Sequence, residues 1–528
     1  MQNDACCDVL LIEDLAQQRL PARTLAAVLR ESGFVARLAH FGVGDDPEQI
    51  TMLAQASQPR LIVLSILFAH LLAETLALVE QLRSAGVSAH LTMAGALPAL
   101  AWEELLAMCP ALDSVLCGEA EAHIVQLALR LSADWQRVPG LAYRNPAPCA
   151  NPLPGSVLDL DTLPFPARDD HPKTLTGFGF ATVEASRGCY HACTFCLPCA
   201  FYRVAASSPY RSRSVTHLIE EIDVLYRQGV RLFLFDDEQF LPPTPLRAER
   251  VAALAEQLRQ RELDIAFTLK CRGDDVDETL FRQLRDIGLV RVYVGVESGC
   301  ADTLKRLGKG VTAACNAQAL AMLDALGIVA DFRSLLFHPW SSLGTVQADI
   351  DFLERSLPHV STPYTFHEVE CYPGTKLAHR LRASQGDRGE IGCEEASPPG
   401  LRAYTLVDSK AELLRRLSRI LFEGRSARQS VLGQAVRAGY ELLLLRRFCP
   451  HRIAEGQYQA WRDITVRLNR ESLSVWREML AFADSSHRQD IDLITEHTSA
   501  WAMRLNICDA AAFEALARLI QRPSHPRP

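Results

Sequence analysis

The amino-acid sequence predicts an α/β protein with a doubly wound N-terminal domain, a central partial (β/α)6 barrel and a helical C-terminal domain. Short apolar runs alternate with helical patterns over most of the chain up to about Cys371, which is typical of parallel strands connected by helices. Beyond that point the strand signals fade and helical periodicity dominates. A chain of 528 residues is also longer than one hydrophobic core usually serves.

The composition is that of a globular protein, with 48% hydrophobic and 22% charged residues. A net charge of -8 disfavours a general nucleic-acid binder, which needs an excess of Lys and Arg against phosphates. The longest apolar stretch, Leu61–Val79, contains His70 and Glu74, so a buried strand and an amphipathic helix explain it better than a membrane span. We therefore expect a small-molecule or peptide substrate, no nucleic acid and no membrane span.

The first predicted domain, residues 1–135, is Rossmann-like. Its strands, each followed by a helical pattern, are Val9–Ile12, Leu61–Ile66, Ala89–Ala94 and Ser114–Cys117. Strict alternation predicts a parallel sheet covered on both faces, and ligands of such sheets bind outside the carboxyl ends of the strands. Those ends carry Ser65, Gly95, Gly118 and Glu119. The small residues among them would let a large planar cofactor approach the backbone.

Residues 136–180 read as a linker, because seven prolines fall between Pro146 and Pro172. Residues 181–380 contain the predicted barrel, whose chemistry would occupy the loops after the strands. Its six candidate strands are Thr182–Ser186, Arg231–Phe235, Asp264–Leu269, Val290–Val296, Val329–Phe337 and Tyr364–Glu370. Residues 381–528 form the predicted helical domain.

The chain has 16 cysteines and shows no signal sequence at its amino terminus, which predicts reduced thiols in the cytoplasm. Three of them, Cys189, Cys193 and Cys196, fall within eight residues directly after a predicted strand. Structural zinc sites and electron-carrying clusters normally take four protein ligands, whereas a four-iron cluster with three thiolates leaves one iron open to a substrate. The alternative is a zinc site completed by Cys199 or His191.

This C-x3-C-x2-C loop after the first barrel strand resembles the loop of the radical S-adenosylmethionine (SAM) superfamily. The resemblance implies that Cys189, Cys193 and Cys196 bind a [4Fe-4S] cluster. SAM would then chelate the open iron, and one electron would cleave it to a 5'-deoxyadenosyl radical. A reductant such as flavodoxin or ferredoxin would supply that electron.

Further segments resemble the SAM-binding segments of that superfamily. Phe195 corresponds to an aromatic residue that lines the adenine pocket. The acidic turn after the second strand, Asp236-Asp237-Glu238, corresponds to the segment that receives the methionine amino group, and Arg272 could meet the methionine carboxylate. Gly295 and Glu297 or Ser298 correspond to the fourth-strand signature. The turn Tyr372-Pro373-Gly374-Thr375 also resembles a recurrent family turn.

The N-terminal domain and the Gly118-Glu119-Ala120-Glu121 turn resemble the cobalamin-binding radical SAM enzymes. Ser65-Ile66-Leu67 matches their Ser-x-Leu element, and Gly95 keeps half of their Gly-Gly element. The resemblance implies bound cobalamin.

The segment Glu13–Gln18 lacks the Asp-x-His-x-x-Gly motif, so no histidine there is expected to ligate cobalt. Either cobalamin binds base-off without a lower histidine, which we favour, or the domain has lost the cofactor. His40 and His70 are the only nearby imidazoles, and we interpret both as ordinary residues.

The resemblance implies methyl transfer to an unactivated carbon of a natural-product, peptide or lipid substrate. A cobalamin-dependent radical cyclase or oxidase without methyl transfer is an alternative. A second alternative, from a different class, is a regulatory module that binds zinc or cobalamin.

Overall fold

The structure is a computed structural model that describes residues 6–13, 20–155, 157–170, 172–205, 208–385, 401–426, 429–485 and 489–520. The chain divides into two compact units. Unit 1 comprises Met1–His171, Ala181–Ile222 and Glu370–Ala403, and unit 2 comprises Pro172–Phe180, Asp223–Val369 and Tyr404–Pro528.

A seven-stranded sheet is the centre of unit 1. Its strands are β1 (Val9–Glu13), β2 (Ala36–His40), β3 (Leu61–Ser65), β4 (His90–Ala94), β5 (Ser114–Leu116), β6 (Leu141–Arg144) and β7 (Pro148–Ala150). The helices between them are α1 (Leu20–Glu31), α2 (Pro47–Ser57), α3 (Leu72–Ser84), α4 (Ala96–Met108) and α5 (Ile124–Arg130). The strand order is β2-β1-β3-β4-β5-β6-β7, with β1 to β5 parallel and β6 and β7 antiparallel.

Strand β1 shows why an unbroken apolar run forms a central strand here. Its five residues are all buried. Leu10 and Ile12 belong to the hydrophobic core on one face of the sheet, and Val9 and Leu11 belong to the core on the other face. The predicted doubly wound sheet is confirmed, because both faces are covered.

Two features of this sheet differ from the sequence prediction. Strand β2 was not predicted, because as an edge strand it is only partly buried and carries Arg37 and His40. Strands β6 and β7 lie within the predicted linker. The proline-rich composition concealed them, and Pro148 is tolerated because β7 is the outer strand.

The barrel begins with β8 (Gly179–Val183), a strand that starts in unit 2 and ends in unit 1. The elements that follow it in unit 1 are β9 (Ser186–Gly188), α6 (Leu197–Ala205), β10 (Tyr210–Ser212) and the start of α7 (Val215–Arg227). Strands β9 and β10 form an antiparallel ribbon. Leu197 and Phe201 of α6 join the same core cluster as helix α4, so the ribbon and helix are part of one unit with the first sheet.

Unit 2 contains the remaining barrel elements. The strands are β11 (Val230–Phe235), β12 (Ala266–Arg272), β13 (Leu289–Gly295), β14 (Val329–Asp331), β15 (Ser334–Phe337) and β16 (Phe366–Glu368). The helices are α8 (Leu246–Gln260), α9 (Glu278–Asp286), α10 (Ala301–Arg306), α11 (Ala313–Ala325) and α12 (Leu343–Ser356). Strands β11 to β14 are parallel neighbours in chain order, with β8 at the sheet edge, and β15 pairs in parallel with β16. The predicted fifth strand is thus split into β14 and β15.

The last part of the chain is helical, as predicted. Its helices are α13 (Lys376–Gln385) in unit 1 and α14 (Ser409–Phe422), α15 (Val431–Phe448), α16 (Gln457–Asp484) and α17 (Ile491–Ile520) in unit 2. Trp461 and Trp476 of α16 are fully buried. Within the described ranges, no helix is long and apolar enough to cross a membrane.

Candidate functional site

The three predicted cluster cysteines lie on the loop between β9 and α6 in unit 1. Their side chains are partly exposed. Gly188, the residue before Cys189, has a φ of 80°, and a β carbon there would lie 2.1 Å from the Pro209 carbonyl oxygen. Glycine is therefore required where β10 approaches the start of the loop.

Cys199, in the first turn of α6, is a buried fourth thiol beside this loop. The Cys189 thiol, then the Cys196 thiol and burial, hold the pKa of Cys199 well above its ordinary value. Cys189 and Cys196 therefore approach a common neighbour. Thiolates are the usual ligands of iron–sulfur clusters, and three of them on one partly exposed loop fit a cluster that must reach a substrate.

A second segment packs against the cysteine loop within unit 1. The backbone N–H of Leu377 donates to the carbonyl oxygen of Thr194, between Cys193 and Phe195, at 2.8 Å. Leu377 follows the predicted Tyr372–Thr375 turn, where Gly374 has a φ of 71°. This turn therefore supports the loop, and Phe195 itself is partly exposed.

The carboxyl edge of the first sheet brings the predicted small residues together. Ser65 ends β3 and is in register with Ala94 of β4, directly before Gly95. Gly95 has a φ of 119°, and a β carbon there would lie 1.9 Å from the Ile66 carbonyl oxygen. The close approach of the neighbouring backbone therefore requires glycine at this position, whether or not a ligand binds there.

Gly118 and Glu119 follow β5 at the same edge. A β carbon on Gly118, whose φ is 76°, would lie 2.6 Å from Cδ2 of Leu153. The Glu119 carboxylate is buried and accepts hydrogen bonds from Arg187 and Arg211. Its partners in this structure are therefore arginines of the ribbon that leads to Cys189.

A buried polar cluster lies where β1 and β2 end. Arg23 donates to Glu13 Oε1 at 2.8 Å and to Asp170 at 2.6 Å, and His40 Nδ1 lies 3.4 Å from Glu13 Oε1. Burial, opposed by Arg23, raises the pKa of Glu13 to about 7. The other carboxylate oxygen, Glu13 Oε2, has no hydrogen-bond partner among the described residues.

These features of the sheet edge fit a large cofactor with polar arms. Small residues leave the backbone accessible after β3 and β4, and Glu13 Oε2 offers a buried acceptor. His40 is held beside Glu13, whereas His70 is exposed in the turn before α3. The segment 14–18, where the sequence lacks the cobalt-binding histidine, lies outside the described residues.

In unit 2, the predicted acidic segment follows β11. Asp236 is partly exposed and pairs with Lys270 of β12, whose Nζ lies 2.6 Å from Oδ1. Asp237 is buried, and Glu238 is partly exposed. Glu238 and Asp236 are thus the accessible carboxylates of this segment.

Arg272 ends β12 and is almost completely buried. Its Nε and Nη2 atoms donate to the two carboxylate oxygens of Asp274 at 2.8 and 3.1 Å. The guanidinium that we expected to meet the methionine carboxylate therefore binds a neighbouring aspartate in this structure. Binding of Arg272 to SAM stays a prediction.

The end of β13 carries a buried ion pair that the sequence did not reveal. Lys309 Nζ lies 2.9 Å from Glu297 Oε1, and it would lie 2.6 Å from a β carbon on Gly295. A side chain at position 295 would therefore displace the end of the lysine side chain. Glu297 has a φ of 64°, an uncommon conformation for a residue with a side chain.

Ser298 turns away from Glu297 toward helix α12. Its hydroxyl donates to Asp349 Oδ1 at 2.5 Å, and the same oxygen accepts the backbone N–H groups of Gly299 and Cys300. Burial raises the pKa of Asp349 to about 7, although these hydrogen bonds oppose the rise. Ser298 thus fixes the turn after β13 onto α12.

Sequence reasoning missed Arg187, Lys270, Lys309 and Asp349. Arg187 lies two residues before Cys189, directly before Gly188, so its position offered a signal. The other three lie 12 to 51 residues from their partners. No local pattern in the sequence connects such pairs.

Comparison with known proteins identifies the domains. Residues 183–339 match the model of the radical SAM superfamily, and residues 17–128 match the model of the B12 binding domain. Among the residues that the structure describes, no group of three or more His, Cys, Asp or Glu is arranged to hold a single metal ion.

Several curated sequences and solved structures are similar to the chain. The "Uncharacterized methyltransferase PH0819" of Pyrococcus horikoshii is 28% identical over 51% of this chain and 58% of its own length. The 4'-phospho-dehydrooxetanocin synthase of Priestia megaterium is 28% identical over 64% of this chain and 48% of its own length. An anaerobic magnesium-protoporphyrin IX monomethyl ester cyclase of Rubrivivax gelatinosus is 28% identical over 44% of this chain and 43% of its own length. The chain thus spans about half the length of these relatives.

The solved structure of the cobalamin-dependent SAM radical enzyme OxsB with aqua-cobalamin bound has the same fold. It gives a TM-score of 0.70 at 20% identity, over 97% of this chain and 84% of that chain. The fold defines a B12-binding domain, a radical SAM domain and a helical C-terminal part, which confirms the predicted fold class.

The chain therefore carries a B12-binding domain followed by a radical SAM domain. These two domains imply a [4Fe-4S] cluster, SAM and cobalamin as cofactors. They favour an enzyme over the regulatory module that we considered.

Proposed function

We propose that the protein transfers a methyl group from SAM to an unactivated carbon of a small-molecule or peptide substrate. The observation that carries this proposal is the presence of a B12-binding domain and a radical SAM domain in one chain. A methyltransferase among its relatives supports it. Flavodoxin or ferredoxin is the kind of protein that would reduce the cluster.

When bound, the cluster and SAM would supply a hydrogen-abstracting radical, and cobalamin would supply a carrier for the methyl group. The protein supplies ligands and position. Cys189, Cys193 and Cys196 would hold the cluster, and the edge formed by Ser65 and Gly95 would receive cobalamin.

We assign SAM contacts to polar groups at the strand ends of unit 2. Asp236 and Glu238 would accept hydrogen bonds from the methionine ammonium group, as carboxylates suit a cation. Glu297, held by Lys309 at 2.9 Å, would accept a hydrogen bond from a ribose hydroxyl. Phe195 would cover the adenine. To bind the methionine carboxylate, Arg272 would have to give up its hydrogen bonds to Asp274 or bind both carboxylates at once.

A radical cyclisation or oxidation without methyl transfer is the second candidate. The relative from Rubrivivax gelatinosus that is named as a cyclase favours it. It would use the same cysteine loop and SAM contacts, so the two reactions differ in whether the methyl group of SAM leaves.

The experiment is to incubate the anaerobically reconstituted enzyme with hydroxocobalamin, reductant and SAM carrying a deuterated methyl group. Methyl transfer predicts cobalamin-dependent formation of S-adenosylhomocysteine in addition to 5'-deoxyadenosine. Formation of 5'-deoxyadenosine alone, with and without cobalamin, would contradict methyl transfer and favour the second candidate. The control is the Cys196→Ala variant, which should form no 5'-deoxyadenosine.

A further inference from the structure

Five charged side chains form one buried network in unit 1. Arg187 donates from Nη1 to Glu119 Oε1 at 3.0 Å and from Nε to Glu184 Oε2 at 2.7 Å, and its Nη2 lies 2.8 Å from Glu121 Oε1. Arg211 donates from Nη2 to the same Glu119 oxygen at 2.7 Å. The network therefore joins the turn after β5 to both strands of the β9–β10 ribbon.

The network is shielded from solvent. The side chains of Arg187, Glu119 and Glu121 are only 6–7% exposed, that of Arg211 is 10% exposed and that of Glu184 is 24% exposed. Carboxylates thus hold both guanidinium groups away from solvent, and removal of one carboxylate weakens the connection between the turn after β5 and the ribbon.

The network lies directly beside the cysteine loop in the chain and in space. Arg187 is separated from Cys189 by one residue, Gly188, whose conformation is fixed by Pro209. The Arg211 guanidinium carbon lies 6.0 Å from the ring centre of Tyr202, on the helix that follows Cys196. Arg187 thus lies just before the loop, and Arg211 contacts the helix that follows it.

The other end of the network is the carboxyl edge of the first sheet. Glu119 follows Gly118 after β5, two strands from the edge position of Ser65. Arg187 and Arg211 both donate to Glu119, so they connect the β9–β10 ribbon directly to this edge.

We infer that the Glu119–Arg187 pair is a positioning element that couples cluster loading at the cysteine loop to cobalamin affinity at the sheet edge. The inference requires that both cofactors bind and does not depend on methyl transfer. Such coupling is reciprocal, so cluster loading tightens cobalamin binding by the same factor as cobalamin tightens cluster retention.

The test is a spectrophotometric titration of hydroxocobalamin into the full chain, with and without the reconstituted cluster. We expect cluster loading to lower the Kd for cobalamin at least fivefold in the wild type. In Glu119→Gln and in Arg187→Lys, the ratio of the two Kd values should fall to within twofold of one. Both variants keep a hydrogen-bonding side chain at each position.

Glu221→Gln is the matched control. Glu221 is also buried and also accepts from two arginines, Arg168 at 2.9 Å and Arg213 at 2.6 Å, which lie outside the network around Glu119. The Glu221→Gln variant should lose thermal stability and keep the wild-type ratio of the two Kd values. A wild-type ratio near one, or an unchanged ratio in Glu119→Gln, would overturn the inference. If both test variants fail to fold, the wild-type ratio of the two Kd values remains a test, because a ratio near one refutes the inference.

Discussion

Lys309 and Glu297 form a buried ion pair at the end of strand β13, with Nζ 2.9 Å from Oε1 and side-chain exposures of 5% and 13%. The lysine comes from the loop after α10, twelve residues later in the chain. Glu297 has a positive φ, and its carbonyl oxygen accepts the N–H of Leu335 at 2.7 Å. The pair therefore fixes a strained residue in the segment to which we assign SAM binding.

Lys309→Met should destabilise the protein by about 3 kcal/mol or more, because Glu297 is left as an uncompensated buried charge. It should also raise the Kd for SAM at least tenfold. Denaturant unfolding and equilibrium dialysis with labelled SAM measure the two effects. The double variant Lys309→Met/Glu297→Leu should recover much of the stability and none of the SAM affinity. Recovery of both would show that the pair has only a structural role.

Asp349 should make folding stability fall as the pH rises. Its pKa is raised from 3.8 to about 7 by burial, so its contribution is complete below the ordinary pKa and is lost as the pH rises through about 7. Between pH 5 and pH 8 this loss is at most about 3 kcal/mol. Asp349→Asn cannot titrate, so its free energy of unfolding should fall less over this range. Parallel pH profiles of the two proteins, measured by urea unfolding, would contradict this expectation.

Gly95→Ala should unfold the edge of the first sheet that we assign to cobalamin. The added carbon would lie 1.9 Å from the Ile66 carbonyl oxygen, and the φ of 119° is unfavourable for alanine. We expect a loss of about 3 kcal/mol or more, together with loss of cobalamin binding. Gly86→Ala is the control, because Gly86 has a φ of 79° with no atom within 4 Å of the added carbon. It should cost about 1 kcal/mol and keep cobalamin affinity. Equal losses of stability in both variants would show that the positive φ, and not the contact with Ile66, causes the destabilisation.

The fold was largely predictable from the sequence because buried parallel strands are continuous apolar runs. Strand β1 shows this, since both its faces are covered. Strand β2 was not predicted because an edge strand needs only one row of buried side chains. Strand β7 was not predicted because it contains Pro148, which an outer strand tolerates. Hydrophobic patterns identify buried residues, so they fail to predict strands that are only partly buried.

The positions of the candidate site residues were predictable from the sequence, but the contacts of their side chains were not. The spacing of Cys189, Cys193 and Cys196 is local and was read directly from the sequence. The partners of Arg272 and Ser298 depend on the folded backbone: Asp274 lies two residues away but across a turn, and Asp349 lies 51 residues away. A motif identifies which residue type stands at a strand end, whereas the neighbouring elements decide what its side chain contacts.

The iron content of the anaerobically reconstituted protein and of two alanine variants tests most directly whether the three cysteines bind a four-iron cluster. We expect about four irons in the wild type and in Cys199→Ala, and a loss of cluster and of SAM cleavage in Cys193→Ala. Cys199 is the matched control, because its thiol lies beside Cys189 and Cys196 without being an assigned ligand. One zinc in the wild type, or loss of the metal in Cys199→Ala, would contradict it.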